Sequence, residues 1–368
     1  MTVYLSMTII GALGFVFSAF ADGKDYLGRT TIKSPIVKRT VANCISVCSF
    51  LVVFIIFGFR YHLGAEYFNN YLFAYNQLKM GMNTDVHYGI ATGILMRLLA
   101  AINAPEQSFF VITSVVLLIP LWYAIYKLSP IPWLSWVIFV ISRAFFISMA
   151  DIETGIAAVL LFIAVKYIKE QQIYKYLVCV MLAILFHWVA IFFIPVYWLA
   201  NIKINIAGWL ATAALISIIS NKIGMMIASV YDKNGSGTNV FYSNRFDNTF
   251  FMIFLVVLIA IYYISSDARL GENKDFRLTF YICFIALILS VNLNVLPYGL
   301  NIYWLYFVHV VFFVPEMICR IDNKTEKAAV LLVLLVLFGY ITYKDCAVSK
   351  VLHCFPYRSF LLKDLVFN

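Results

Sequence analysis

The sequence predicts an all-α polytopic integral membrane protein, and three observations support that class. The 368-residue chain is 63% hydrophobic and only 12% charged, which is about half the charged fraction of a soluble domain. Apolar runs of about 17 to 25 residues, long enough to cross a bilayer as helices, recur from end to end. The period-2 alternation of a membrane barrel is missing. Because lipid offers no partner for backbone polar groups, helices are the remaining choice.

We expect about 10 to 12 transmembrane helices in a single integral membrane domain that covers residues 1–368. The predicted spans lie near residues 3–20, 41–58, 108–127, 132–150, 152–168, 174–199, 204–229, 249–264, 278–296, 301–319 and 328–343. The segment 86–103 is shorter and carries Arg97, so we expect a re-entrant or interfacial helix there.

The distribution of basic residues predicts the orientation. The Lys and Arg residues concentrate in loops 21–40, 166–175, 265–277 and 320–327. Such loops are typically cytoplasmic, so the net charge of +9 reflects topology, and nucleic acid is not an expected partner. Periplasmic loops then lie near 60–107 and 230–248, and the C-terminal tail 344–368 is also outside.

One conflict remains in the order of crossings. If 174–199 and 204–229 each cross once, loop 265–277 falls outside despite its three basic residues. Either 174–200 is a broken pair of half-helices that turns near Phe186-His187, or 204–229 does not cross fully. The sequence does not decide between the two.

Ionisable residues at membrane depth are costly, so each suggests a function. The segment after the second predicted span contains three ionisable groups and three tyrosines: Arg60, His62, Glu66, Tyr61, Tyr67 and Tyr71. A guanidinium suits phosphate or carboxylate, and Glu66 is either a base or the partner of Arg60. The alternative is interfacial anchoring, with a snorkelling arginine and a tyrosine belt.

Two further places within the predicted spans carry ionisable groups. Arg143 lies two helical turns before Asp151 if the helix continues, so the two are expected to share a face, with Glu153 nearby. A structural ion pair is the alternative. His187 lies mid-span, where it is either a packing residue or a proton acceptor.

The loop 230–248, which contains Arg245, is polar and contains two glycines. A mobile substrate loop has this composition, and so does a plain solvated connection. The tail contains His353, Tyr357 and Arg358, for which a snorkelling basic end is the alternative.

Several kinds of chemistry lack their motifs. The chain has no phosphate-binding Walker loop, no HExxH, no DxD and no CxxC pair, so we expect no metal and no cofactor. The seven cysteines lie mostly in apolar runs and are expected to be buried thiols.

The pattern Phe59-Arg60-x-x-x-Gly64-x-Glu66-Tyr67-x-x-Tyr71 resembles a motif of the EpsG-like family of bacterial polysaccharide polymerases, the Wzy type. The resemblance continues in order along the chain: Val86-His87-Tyr88-Gly89, Ile156-Ala157 to Tyr167-Ile168, Leu182-Ala183-x-x-Phe186-His187 with Pro195-Val196-Tyr197, and Phe355-Pro356-Tyr357. Three positions depart from the family pattern: Glu66 stands for the usual Asp, Glu153-Thr154 for Arg-Gln, and Asn301 for an Arg.

The resemblance implies a metal-independent, inverting glycosyltransferase with a GT-C-like bundle in the bacterial inner membrane. It would transfer a growing O-antigen or capsule chain from undecaprenyl diphosphate to a new lipid-linked repeat unit at the periplasmic face. The implied partners are the undecaprenyl-diphosphate-linked oligosaccharide, the lipid bilayer, a chain-length regulator and a flippase.

Within that chemistry the expected catalytic residues are Arg60, Glu66, Arg143, Asp151 and His187. The expected substrate-binding residues are His62, Tyr67, Tyr71, Arg97, Arg245, Tyr357 and Arg358. A carboxylate or imidazole removes the sugar proton, and arginines stabilise the departing diphosphate.

Two other functions remain open. A flippase of the same lipid-linked oligosaccharide usually shows two similar halves, and none is visible in this sequence. A membrane acyltransferase that modifies polysaccharide would use a base near an early span, which Arg60 and His62 resemble.

Overall fold

The computed structural model describes residues 2–22, 38–82, 88–202, 249–266, 272–291, 299–348 and 352–367, together with residues 208, 211 and 215. The predicted loop 230–248 with Arg245 lies outside the described residues, as does nearly all of the predicted span 204–229.

The described chain is helical along most of its length. Its α-helices are α1 (Thr2–Ala21), α2 (Arg39–Gly58), α3 (Phe73–Lys79), α4 (Ile90–Ala101), α5 (Glu106–Leu128), α6 (Pro132–Ile141), α7 (Ala144–Ala150), α8 (Ile152–Lys169), α9 (Ile173–Phe186), α10 (Val196–Leu199), α11 (Thr249–Ser266), α12 (Lys274–Val291), α13 (Gly299–Phe307), α14 (Val310–Arg320) and α15 (Lys324–Tyr343). A π-helical turn, Tyr67–Leu72, precedes α3, a 3₁₀ helix, Trp188–Phe193, follows α9, and a second π-helical turn, Lys344–Val348, follows α15.

This architecture confirms the all-α polytopic membrane class. Within the described residues, five helical segments are long and apolar enough to cross a membrane: 2–21, 39–58, 106–128, 299–320 and 324–348. The bent pair α6–α7 adds a sixth. Helices α8 and α12 have 18 residues each, but each carries three charged residues. They are therefore not counted among these spans. The predicted count of 10 to 12 also included segments that are broken or lie outside the described residues.

The segment 299–320 forms the centre of the bundle. In its most apolar window 94% of the residues are buried, against 28% for the windows of α2 and of segment 324–348. Those two helices therefore expose broad apolar faces, as lipid-facing helices do. The central segment is interrupted between α13 and α14, close to His309, which is fully buried.

The predicted span 132–150 is broken. Arg143 adopts a left-handed backbone conformation with φ 70°, which a non-glycine residue adopts only at a local cost. The helix axis turns by 56° there, between α6 and α7. Arg143 and Asp151 therefore do not follow one continuous helix.

The segment 173–199 turns back on itself, which is the first of the two alternatives that the sequence left open. Helix α9 ends at Phe186, and His187 has an extended backbone with φ −143° and ψ 111°. The hydroxyl of Tyr176, near the start of α9, then donates to the carbonyl of Phe193. Because the chain returns to the end from which it entered, His187 lies at the tip of a re-entrant hairpin.

Two smaller elements close the end of the bundle near this tip. Helix α4 has only 12 residues, which is too short to cross and agrees with the expected re-entrant or interfacial helix. The C-terminal tail forms an antiparallel ribbon of β1 (Tyr357–Ser359) and β2 (Leu362–Phe367). Ser359 also makes an isolated bridge with Arg60.

Candidate active site

Asp151 lies at the N-terminus of α8, where it caps the helix. Its carboxylate accepts the backbone N–H of Thr154 at 3.1 Å and the Thr154 hydroxyl at 2.6 Å. Asp is among the preferred capping residues because its side chain satisfies an amide that the helix leaves unpaired. The cap fixes the carboxylate at one end of the bundle, beside the tip of the re-entrant hairpin.

Asn301, in the first turn of α13, connects Asp151 to that hairpin. Its side-chain nitrogen lies 3.1 Å from Asp151 Oδ2, 3.2 Å from the Thr154 hydroxyl and 3.2 Å from His187 Nε2. One amide therefore joins α8, α13 and the hairpin tip. His187 is also held at its other ring nitrogen, which accepts the Val189 N–H at 3.4 Å.

The connection between α2 and α3 adds Glu66 and Tyr71 to the same region. The Tyr71 hydroxyl donates to Asp151 Oδ1 at 3.3 Å, and the Asn70 side chain donates to the Glu66 carboxylate. Glu66 is half-buried and lies outside the membrane-spanning helices. Burial, with the nearby negative charge of Asp151, raises the pKa of the Glu66 carboxyl to about 7.

Glu153 lies in the first turn of α8, next to Asp151 and Thr154 in the chain. It is buried, and its Oε1 accepts the backbone N–H of Gly89 at 2.8 Å. Gly89 approaches the hairpin tip so closely that a Cβ there would lie 1.9 Å from the Phe186 carbonyl oxygen. Only glycine permits that approach, so Gly89 docks the start of α4 on the hairpin.

We call the group formed by Glu66, Tyr71, Asp151, Thr154, His187 and Asn301 the polar cluster. Four of its members were expected from the sequence: Glu66, Tyr71, Asp151 and His187. No lysine or arginine among the described residues forms an ion pair with Glu66, Asp151 or Glu153. In that part of the chain, no group of three or more His, Cys, Asp or Glu is placed to hold a metal ion.

Arg60 does not face the polar cluster. Its side chain is 0% exposed, and its guanidinium packs over the rings of Phe57 and Phe110 at 4.7 and 5.2 Å. One nitrogen donates to the Phe57 carbonyl at 2.7 Å, whereas Nε and Nη2 have no hydrogen-bond partner among the described residues. Burial lowers the pKa of Arg60 to about 10, so the group stays protonated at neutral pH. The Arg60–Glu66 ion pair, one of the two alternatives for Glu66, is not formed.

The C-terminal tail covers Arg60. Tyr61 N–H donates to the Arg358 carbonyl at 3.0 Å, and Phe360 N–H donates to the Phe59 carbonyl at 2.7 Å. Tyr357, expected to bind substrate, is buried and donates to the Ile56 carbonyl at 3.1 Å. The Arg358 side chain is exposed.

Arg143 is engaged elsewhere. It forms a salt bridge with Asp345, in the π-helical turn after α15, and its guanidinium lies 5.3 Å from the centre of the Trp304 ring. The expected association with Asp151 is wrong, because the helix breaks at Arg143 and its left-handed backbone directs the side chain away. Arg143 instead ties the α6–α7 break to the end of α15.

The remaining candidates that the structure describes are His62, Tyr67 and Arg97. His62 stacks on Tyr61 with ring centres 3.7 Å apart, and Tyr67 stacks on Phe110 at 4.2 Å. Tyr67 is buried, whereas Arg97 is exposed on α4.

Sequence reasoning missed Asn301, Thr154 and Gly89 as parts of the site. Asp151-x-x-Thr154 has the spacing of a helix cap, which was a usable signal. Asn301 was noted only as a departure from a pattern, since a neutral amide in an aromatic stretch carries no charge to attract notice.

The fold and the site together define a polytopic helical membrane protein with a carboxylate-rich polar cluster at one end of an apolar bundle. The EpsG family model matches residues 43–359, which include the cluster, α4 and the tail as far as β1, and the chain belongs to this family. The family suggests a polysaccharide polymerase-like role and is generally glycosyltransferase-like. Comparisons with curated proteins and with solved structures found no match.

Proposed function

We propose that the protein is a polysaccharide polymerase that transfers a growing glycan from undecaprenyl diphosphate to a new lipid-linked repeat unit. The observation that carries this proposal is the polar cluster, in which two carboxylates, an imidazole and an amide meet in a bundle that is otherwise apolar. Such groups are costly in a membrane protein and are typical of a substrate site.

In the proposed reaction, a hydroxyl oxygen of the acceptor sugar attacks the anomeric carbon of the donor chain. The bond from that carbon to the diphosphate oxygen breaks, and the electron pair leaves with undecaprenyl diphosphate. The hydroxyl proton passes to a base. Glu66 suits this role because a pKa of about 7 makes it a partly ionised acceptor at neutral pH, where a general base is most effective.

Asp151 is suited to a different role. Its oxygens accept from Thr154, Tyr71 and Asn301, so few lone pairs are left for a substrate proton. Its fixed negative charge would instead stabilise the positive charge that develops on the anomeric carbon. Asn301 and His187 would orient sugar hydroxyls beside Asp151, and Tyr71 would form one wall of the sugar site.

The leaving diphosphate needs cations. The exposed candidates are Arg97 and Arg358. The other two candidates are His62, in the connection between α2 and α3, and Arg245, which lies outside the described residues. Arg60 would contribute a fixed positive charge behind Tyr67 and Tyr71. Arg143 would hold the α6–α7 break in position through its salt bridge with Asp345. Metal-independent inversion by a single displacement remains part of the proposal.

The proposed location is the bacterial inner membrane, with the polar cluster facing the periplasm. Asp151 begins α8 and Lys169 ends it, so the cluster and the basic end are about 27 Å apart along one helix. That separation is close to the hydrocarbon thickness of a bilayer. The basic loops would face the cytoplasm. A flippase would deliver the repeat unit to the periplasmic face, where a chain-length regulator would limit the product.

The test is extension of purified lipid-linked repeat units by the protein reconstituted in liposomes. A ladder of longer lipid-linked glycans, with one undecaprenyl diphosphate released per bond formed, supports a polymerase. Movement of the substrate across the bilayer without extension would assign a flippase, and acyl transfer from a coenzyme donor would assign an acyltransferase. Either result would overturn the proposal.

A further inference from the structure

The basic end of the bundle contains a cavity of about 670 Å³ that takes no part in the proposed reaction. It lies between the ends of α5, α8, α12 and α14. Its charged lining residues are Lys127, Lys166, Lys169, Arg320, Glu170, Asp275 and Glu316. A volume of this size matches the usual range of ligand pockets, about 300 to 1,000 Å³.

The basic side chains of this cavity are only partly neutralised. Lys169 is paired with Glu316 at 2.6 Å, in a largely buried bridge. Lys166 lies 3.8 Å from Glu170, and such a partly exposed pair contributes little. Lys127 and Arg320 form no ion pair within the described residues, and Arg320 Nε has no hydrogen-bond partner there. With four basic and three acidic residues, the lining retains positive charge.

A second observation concerns the inner end of the cavity. It continues as a chamber of about 70 Å³, which shares Lys166, Lys169 and Glu316 and is lined by His309. His309 is 1% exposed; the carbonyls of Leu161, Leu305 and Tyr306 lie near its ring, but neither ring nitrogen makes a well-directed hydrogen bond within the described residues. Because a buried polar group without a well-directed partner is costly, the chamber suits water or a polar group of a ligand.

We infer that this cavity binds the headgroup of an anionic phospholipid, with its phosphate between Lys127, Lys166 and Arg320. The phosphate is the shared chemistry of such a lipid and of free phosphate. A lipid is favoured because the cavity opens at the end of the bundle where the basic loops gather, and basic pockets between helices on that side bind anionic headgroups. Water or a headgroup hydroxyl would then reach His309.

The experiment compares lipid binding by purified variants in native mass spectrometry. The test variant is Lys127→Gln with Lys166→Gln, and the matched control is Lys175→Gln with Lys324→Gln. The control removes the same charge from exposed positions that do not line the cavity. We expect the wild type and the control to bind phosphatidylglycerol at least about tenfold more tightly than phosphatidylcholine, and the test variant to lose that preference.

A thermal unfolding arm separates the two sources of phosphate. Phosphatidylglycerol should raise the unfolding midpoint of the wild type and the control, whereas inorganic phosphate at millimolar concentration should not. Equal lipid preference in the test and control variants would overturn the inference. Stabilisation by inorganic phosphate but not by the lipid would overturn it as well. Midpoints measured without lipid show whether either variant is misfolded.

Discussion

Asn301 is the residue that makes the polar cluster one unit. Its amide nitrogen contacts Asp151 and Thr154 at the start of α8 and His187 at the tip of the hairpin. The sequence identified Asp151 and His187 because ionisable groups in apolar segments are conspicuous. It did not identify Asn301, because an amide becomes important only when the fold places it between two such groups.

Replacing Asn301 by Ala should lower the rate of glycan extension by about 10- to 100-fold, equivalent to roughly 1.4 to 2.7 kcal/mol of transition-state stabilisation. The reason is that Asp151 and His187 would lose their common partner. The rate is measured on purified protein with lipid-linked repeat units. Asn201→Ala, an exposed asparagine near the opposite end, is the control. Normal extension by the Asn301 variant would remove it from the site.

Glu66 should impose a pH dependence on extension. A base must be deprotonated, so with a pKa of about 7 the rate should rise with pH through about 7 and level off above it. In Glu66→Gln the rate should be low and this rise should be missing. The measurement is the initial rate from pH 5.5 to 8.5. A rise of the same shape in Glu66→Gln would assign the base to another group.

The directions of the Arg60 and Arg143 side chains could not be predicted from residue type alone. Arg60 was a strong candidate because it stands in a polar segment beside a span. Its direction depends on the tail, about 300 residues later in the chain, which pairs with Phe59 and Tyr61 and covers it. The direction of the Arg143 side chain likewise depends on the local backbone break. Neither the tail pairing nor this break is indicated by a short window of sequence.

At the scale of elements, interruptions of helices place the site. The break near Phe186-His187 was predicted as one of two options, because it resolved the conflict in the charge pattern. The break at Arg143 was not predicted, since the run 132–150 is apolar apart from Arg143 and three serines. The short helix α4 was expected from its length, but its docking on the hairpin through Gly89 was not.

Replacing Gly89 by Ala should damage that docking. The new Cβ would meet the Phe186 carbonyl at 1.9 Å, and backbone atoms at that distance cannot yield without a shift of α4. We expect a loss of roughly 2 to 4 kcal/mol of stability, seen as reduced membrane abundance and a lower unfolding midpoint. Gly339→Ala, where a Cβ meets nothing within 4 Å, is the control. Equal behaviour of the two variants would contradict the close packing.

The tail makes a second prediction at this scale. Phe360→Pro removes the N–H that donates to the Phe59 carbonyl at 2.7 Å, which should cost about 1 to 3 kcal/mol and loosen the loop that carries Glu66. Extension should fall further than in Phe360→Ala, which keeps the N–H. The comparison is made at matched protein levels. Identical activity of the two variants would show that strand pairing does not support the site.

At the scale of the whole molecule, hydropathy and charge predicted the class and the grouping of basic loops at one end. They did not predict which span is central. Among the candidate spans that the structure describes, segment 299–320 is the most buried, yet it carries Asn301 at one end and Arg320 at the other. A single buried segment therefore connects the proposed reaction site to the basic cavity.

The most direct test of the proposed function is the extension rate of Asp151→Asn. Asparagine caps a helix about as well as aspartate, so α8 should remain intact and the unfolding midpoint should change little. The substitution removes the negative charge that we propose lies beside the anomeric carbon, and it replaces one accepting oxygen by a donating amide. We expect extension of lipid-linked repeat units to fall by about 100-fold or more, equivalent to roughly 2.7 kcal/mol. Extension at the wild-type rate by a folded Asp151→Asn protein would show that the polar cluster is not where polymerisation occurs.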